Sequence, residues 1–247
     1  MSVEKKLQEI DRSLAAIHND LSCIFNKPAA KSDLALLIDT FTNSTCISML
    51  NTLYGKYNGQ LRDWVTKSEF GEGCSCESAL WNVILDDEII DAFHFYSISG
   101  MIDSYEEMND LVSSGDDDYS CEGADAGIEP VFWSANWIPF GTSASGDYLC
   151  LDQKSKCVIY VCHEGSPRRI VAKNFEKFLD NWNKMLSDTV IITSKDTAYV
   201  VQYKDKIKTM ANYKDFPWDI VPRRYDIQAF HVQHGFFSLD MISTYFD

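Results

Sequence analysis

The residues of this chain that could do chemistry come in short groupings, and each lacks a part its chemistry needs. Cys162-His163-Glu164 sets a thiol beside an imidazole and a carboxylate, the components of a nucleophile with its base. Successive residues of a strand point to opposite faces, however, so a strand carried through these positions would hold thiol and imidazole apart. Asp118-x-Ser120-x-Glu122-Gly123 with Glu129 at the twelfth position copies the outline of a calcium loop. The eighth position is Asp125 instead of an apolar residue, and Pro130 stands where the exiting helix must begin. Cys74-Ser75-Cys76 lacks the second ligand pair of a structural zinc site, and His231-x-x-His234 has no adjoining carboxylate or cysteine motif. Gly141-x-x-x-x-Gly146 lacks the Lys-Ser/Thr of a phosphate loop, and no nucleophile elbow or dinucleotide fingerprint occurs. The expectation is a non-enzymatic chain with no catalytic residue, no metal ligand and no cofactor.

The elements that would position any site are organised around Trp137 to Asp152, W-I-P-F-G-T-S-A-S-G-D-Y-L-C-L-D. Pro139 restricts its own φ and extends Ile138, and Gly141 and Gly146 bracket a small polar loop. From Asp147 the pattern is that of a strand, with Tyr148, Cys150 and Asp152 on one face and Leu149 and Leu151 on the other. Lys154-Ser155-Lys156 turns the chain into a second strand, Cys157 to Cys162, which makes a hairpin. A short strand at Arg168 to Ala172 and a helix from Asn174 to about Leu186 complete the unit. Trp133 and Trp137 are expected as core and rim anchors of this sheet, whose apolar face forms the floor of the core.

These residues resemble the SUKH superfamily, which includes bacterial immunity proteins and the fungal Smi/Knr cell-wall regulators. The likeness rests on Trp137-x-Pro139-Phe140, the small-residue loop, Gly146-Asp147-Tyr148-x-Cys150-Leu151-Asp152, the turn at His163-Glu164-Gly165 and the helix with Phe175 and Phe178. Leu50 to Gly59, a helix ending in Asn58-Gly59, is similar to the same family, as is Phe95 to Ser99 running into Tyr105-Glu106-Glu107-Met108. The usual Leu-Pro before the first helix is replaced by Thr45-Cys46-Ile47. Trp137, Pro139, Gly146, Asp147, Leu149 and Asp152 are therefore taken as the structural motif. What the resemblance implies is a binding protein that neutralises a cognate polymorphic toxin in the cytoplasm, or alternatively a regulatory scaffold for signalling partners.

Upstream, Val3, Leu7, Ile10, Leu14, Ile17 and Leu21 form a helical stripe with Ser2 as a cap, expected on the outside of the domain. Asn26 to Ala30 is a linker, Ser32-Asp33 caps a second helix, and a third covers about Ile47 to Tyr57. Ser78 to Leu85 reads as a short helix, Ala92 to Ser99 as a strand, Asp103 to Val112 as a helix with Tyr105, Met108 and Leu111 inward. Ser113 to Gly127 reads as a long loop, and Pro130 to Trp133 as a strand. Beyond Leu186, strands are expected at Val190 to Ile192 and Ala198 to Tyr203, an irregular packed segment at Asp215 to Arg224, and a short helix at Phe236 to Phe246. The expected class is α+β: a mostly antiparallel sheet with N-terminal helices, one closing helix and a C-terminal extension. The expected division is 1–29 for the first helix and linker, 30–187 for the SUKH-like domain, and 188–247 for an extension packed on it.

Charge is the most informative feature. The formal net charge is -15, and from Ser68 to Gln153 no Lys or Arg occurs while acidic residues recur throughout. Such a block repels itself and excludes nucleic acid or an anionic membrane as a direct partner, since both are bound through cations. Its natural complement is a basic protein. Asp86, Asp87, Glu88, Asp116, Asp117, Asp118 and Glu122 are the candidate docking residues for it. What the resemblance implies for that partner is a toxin, with a nuclease the favoured type because nucleases carry basic clefts. With no signal-like or membrane-spanning apolar run, the eight cysteines are expected to be reduced in a cytoplasmic protein.

Overall fold

The structure is a computed structural model in which residues 2–17, 25–41, 43–60, 82–85, 88–114, 120–143, 146–188, 190–193, 198–201 and 219–220 are described. Three helices come first: α1 (Val3–Ile17), α2 (Lys31–Thr40) and α3 (Ser44–Tyr54). Strands β1 (Asn82–Leu85) and β2 (Glu88–Phe95) lead to helix α4 (Ile98–Ser113). Strands β3 (Trp137–Ser143), β4 (Tyr148–Asp152), β5 (Val158–Val161) and β6 (Arg169–Ala172) then run into α5 (Phe175–Asp188). Strands β1 to β6 pair in chain order as an antiparallel meander, so the fold is α+β with N-terminal helices and a helix closing the sheet.

The strand alternation puts apolar residues on both faces of the sheet. Ile138, Phe140, Leu149, Leu151, Val158 and Tyr160 face the main core, where α5 contributes Phe175, Phe178, Leu179, Trp182 and Leu186 at three- and four-residue spacing. Helix α1 lies against α5 and α3 with Leu7, Ile10 and Leu14 fully buried, and Lys6 pairs with Asp180 of α5. Trp137, Cys150, Ile159 and Val161 face the other way, where they meet Met108 of α4 together with Ile128 and Trp133. The sheet is therefore a layer between two cores and not the floor of one. Strands buried on both faces read as nearly continuous apolar runs, which is the pattern of Val158 to Val161.

The segment over the second face carries the largest departures from expectation. Residues 130–133 are irregular, not a strand. Pro130 has no N–H to give to a ladder, and the carbonyls of Val131 and Phe132 accept instead from the Arg168 guanidinium, at 3.2 and 2.8 Å. Arg168 is wholly buried and also donates to the carbonyls of Cys162 (2.9 Å) and Ser166 (2.8 Å). Its main chain completes the staple, with Arg168 N donating to Gly123 O and Asp125 N donating to Arg168 O, both at 2.9 Å. Asp125 accepts from Ile170 N at 2.7 Å and lies 3.4 Å from Arg169 Nε, while Glu129 pairs with Lys154 and Ser134. Asp125 and Glu129 of the calcium-like outline thus serve separate protein donors, and Asp118 lies outside the described residues.

Other local details also differ. Asn82 to Leu85 form β1 instead of the end of a helix, because β-branched Val83 and Ile84 find ladder partners in Asp91 and Ile89. Helix α2 starts two residues earlier than a Ser32 cap would place it, with Ala30 at the N-cap and Ser32 Oγ bonded to Asp33. Asn43 caps α3 by accepting from Thr45 N and Cys46 N, and Ser97 caps α4 by accepting from Gly100 N. Beyond α5, β7 (Val190–Thr193), β8 (Ala198–Val201) and β9 (Asp219–Ile220) form a separate antiparallel sheet in the order β8-β7-β9. Cys74, Cys76, His231, His234 and the expected helix at Phe236 to Phe246 lie outside the described residues.

Candidate functional site

The β3–β4 turn and the end of β5 build a buried polar cluster around Asp147. Ser143 and Asp147 close the turn reciprocally, Ser143 N donating to Asp147 O at 3.0 Å and Asp147 N donating to Ser143 Oγ at 3.1 Å. Gly146 takes φ +93°, a left-handed conformation that a residue with a Cβ adopts at a cost, and the His163 ring lies over it. The turn delivers the Asp147 carboxylate opposite the last residues of β5. There Tyr160 Oη donates to Oδ2 at 2.7 Å and His163 N donates to Oδ1 at 2.9 Å. His163 Nδ1 lies 2.7 Å from the same Oδ1.

Burial by itself raises the pKa of Asp147, but the bonds from the His163 main chain, the His163 ring and the Tyr160 hydroxyl outweigh it and hold the carboxyl below the usual aspartate value. Burial and the neighbouring carboxylate push the Tyr160 hydroxyl up, so it remains a donor. An ionised Asp147 accepts only, which places the ring proton of His163 on Nδ1. Cys162 joins the group: one carboxylate oxygen, its sulfur and one ring nitrogen lie within 4.8 Å of one another. The sequence argument that kept Cys162 and His163 apart fails because β5 ends at Val161, and past it the chain no longer alternates.

The motif residues form the frame around this knot. Trp137 is fully buried, its ring 5.9 Å from Trp133 in an edge-on contact; Pro139 is buried too, and Leu149 is buried on the opposite face of the sheet. Asp152 is buried and turns the β4–β5 hairpin by accepting from Lys154 N and Ser155 N at 3.2 and 3.0 Å, which allows Lys156 its positive φ. At the other end of the sheet Asn58 Oδ1 accepts from Ile98 N at 2.9 Å. Gly59, at φ +82°, passes so close to Ser97 that a Cβ would sit 2.5 Å from its N atom. Asn58-Gly59 is thus the joint between α3 and the start of α4. These are the features that tie the sequence motifs into one unit, and the sequence pattern of the SMI1/KNR4 family (SUKH-1) matches residues 50–181, more than half of the chain. The chain belongs to the SMI1/KNR4 family. No curated protein matches it.

In this SUKH-1 chain the candidate docking residues are distributed unevenly over the described structure. Asp86, Asp87, Asp116, Asp117 and Asp118 lie outside the described residues, and Glu88 is placed on β2 opposite Leu85 by its backbone. Glu122 is exposed, with its N–H donating to Gly165 O at 2.9 Å. The structure adds residues that were not singled out from the sequence. Asp103, Glu106, Glu107 and Asp110 are all exposed on α4, and their i, i+3, i+4, i+7 spacing puts them on one face of that helix. Helix α4 contains no Lys or Arg. The inward positions Ile98, Met101, Ile102, Tyr105 and Met108 fix which face is outward, a signal that was present in the periodicity. No described helix is long and apolar enough to cross a membrane.

Proposed function

We propose that this SUKH-1 chain is an immunity protein of the cytoplasm, which binds a cognate polymorphic toxin and catalyses nothing. Membership of a family that includes immunity proteins and engages other proteins supports this reading. The observation that carries its chemistry is the acidic outer face of α4, with Asp103, Glu106, Glu107 and Asp110 exposed together. Asp116, Asp117 and Asp118 follow that helix directly in sequence, and Glu122 comes shortly after. Asp110, in the last turn of α4, adds to the negative end of the helix dipole, so that end of the surface attracts cations more strongly than its formal charge alone. The partner that fits is a basic toxin, with a nuclease whose cleft is lined by Lys and Arg as the favoured type. On this reading the acidic face covers the cleft and excludes nucleic acid, and the charges act chiefly on the rate of encounter.

The test is the association rate with the toxin domain encoded by the adjoining gene. Changing Asp103, Glu106, Glu107 and Asp110 to Asn or Gln should leave the circular dichroism spectrum unaltered and slow association about tenfold or more at low salt. The difference should narrow as salt approaches physiological strength, where the screening length is about 8 Å. Neutralising Asp116, Asp117 and Asp118 should act in the same direction. An association rate that ignores both salt and the substitutions would remove the acidic face from the mechanism, and an adjoining gene without a toxin domain would count against the immunity reading itself.

A further inference from the structure

We propose that Asp147, Cys162 and His163 form a binding site for a divalent transition-metal ion, with zinc as the ion that best fits one oxygen, one sulfur and one nitrogen donor. The three ligand atoms come from the β3–β4 turn and from the residues just past β5, and all lie within 4.8 Å of one another. Tetrahedral zinc, with bonds of about 2.0 to 2.3 Å, needs one oxygen, one sulfur and one nitrogen ligand about 3.3 to 3.5 Å apart, so a pair at that limit must close by about 1.3 to 1.5 Å, while His163 Nδ1 and Asp147 Oδ1, now 2.7 Å apart, must separate slightly. Cys162 and His163 lie outside the strand ladder, where a change of side-chain rotamer supplies that movement. A thiolate and an imidazole select zinc or cobalt over calcium and magnesium, which take oxygen ligands.

The surroundings of Asp147 resemble the outer support that metal ligands need. Tyr160 Oη holds Oδ2 and the His163 main-chain N–H holds Oδ1, so the carboxylate is oriented before any ion arrives. What the ion replaces is the ring contact at Oδ1. In that step the ring proton moves from Nδ1 to Nε2, Nδ1 becomes the ligand, and the thiol proton of Cys162 leaves to solvent. Nε2 then carries an N–H whose nearest carboxylate is Glu164, with Oε1 at 3.9 Å. The resulting charges balance, since a carboxylate and a thiolate neutralise a divalent cation, and a neutral assembly is far less costly to bury than an unpaired charge. The His163 side chain is 44% exposed, which gives the ion a route from solvent and leaves the fourth position to water.

Cobalt(II) is the probe, because tetrahedral cobalt with a thiolate ligand absorbs in the visible and shows a sulfur-to-metal charge-transfer band in the near ultraviolet. The metal-free full-length chain should bind cobalt with both signatures, and added zinc should abolish them. Cys162→Ser should lose the charge-transfer band while keeping the wild-type melting curve. Tyr160→Phe, which removes the support of Oδ2, should weaken cobalt binding by about 10- to 100-fold. His163→Gln, at a half-exposed position with little bearing on the core, should weaken it by at least as much. If Cys162→Ser melts early, His163→Gln decides, and undiminished affinity there overturns the site. No charge-transfer band in the wild type, or one that persists in Cys162→Ser, overturns it as well, the latter by moving the sulfur ligand to another cysteine such as Cys74 or Cys76. No toxin is present in any arm, so the outcome is independent of the immunity reading.

Discussion

Removal of the Asp147 carboxylate should reveal how much the buried knot stabilises the sheet. Asp147 accepts from Tyr160 Oη, His163 N and the His163 ring, and Tyr160 is itself buried. A hydrogen bond to a charged group contributes about 1.5 to 3 kcal/mol, so Tyr160→Phe should cost that amount. Asp147→Ala strands both the hydroxyl and the main-chain N–H, and about 3 to 6 kcal/mol is expected. Once the carboxylate is gone the hydroxyl has lost its acceptor, so Tyr160→Phe should then cost little, and the two changes should couple by about 1.5 to 3 kcal/mol. Urea unfolding followed by tryptophan fluorescence, with chelator present, gives all four free energies of the cycle. The pH dependence supplies a second reading. Because the folded-state pKa of Asp147 is depressed, its stabilisation is fully present above the unfolded value of 3.8 and is lost as pH falls through the lower folded value. The stability gap between wild type and Asp147→Asn should therefore be level above about pH 5 and shrink only in stronger acid. Additivity within about 0.5 kcal/mol, or a gap that closes between pH 7 and 5, would refute the reasoning.

The remaining predictions concern the frame. Arg168→Met leaves four carbonyls without their donor and should cost about 3 to 5 kcal/mol, with faster hydrogen exchange at Asp125 and Ile128; Arg168→Lys should not restore it, because an ammonium cannot span the same fork of acceptors. Gly59→Ala forces a Cβ to 2.5 Å from Ser97 N at φ +82° and should cost about 1 to 3 kcal/mol, and a melting temperature equal to wild type would place the α3–α4 joint differently. Trp137→Ala should lower stability by about 3 to 5 kcal/mol, the range for deleting a large core aromatic, and an unchanged denaturant midpoint would put the indole on the surface.

Where a single element carried its own pattern, the sequence predicted it well. The hairpin of β4 and β5, the helix after Asn174 and the α4 stripe all follow from periodicity with a nearby turn or cap, which are local properties. The irregular segment at 130–133 was misread as a strand because its aromatic and β-branched composition is that of a strand. What decides its structure is Arg168, some 36 residues away, whose guanidinium takes the carbonyls a ladder would use. Composition also hid the second core. Alternation puts Cys150 on the face opposite Leu149 and Leu151, but nothing local says that Met108 and Ile128 arrive to cover it.

The knot at Asp147 was illegible for a different reason, and that reason bears on how such sites arise. A metal or catalytic motif is readable when its ligands share one turn of helix or one tight loop, so that spacing encodes geometry. Here the donors are separated by a whole hairpin: Asp147 stands before β4 and Cys162 and His163 after β5. Their meeting depends on register, since Tyr148 pairs with Val161 and the positions just outside that pair are brought opposite one another. A shift of one residue in the hairpin would turn Tyr160 and Cys162 to the other face and leave Asp147 buried without its donors. The turn at Lys154 to Lys156, held by Asp152, sets that register. The Asp at the far end of the hairpin and the Asp at its start are thus linked: the one that looks like a turn residue places the strands, and the strands assemble the donors around the other.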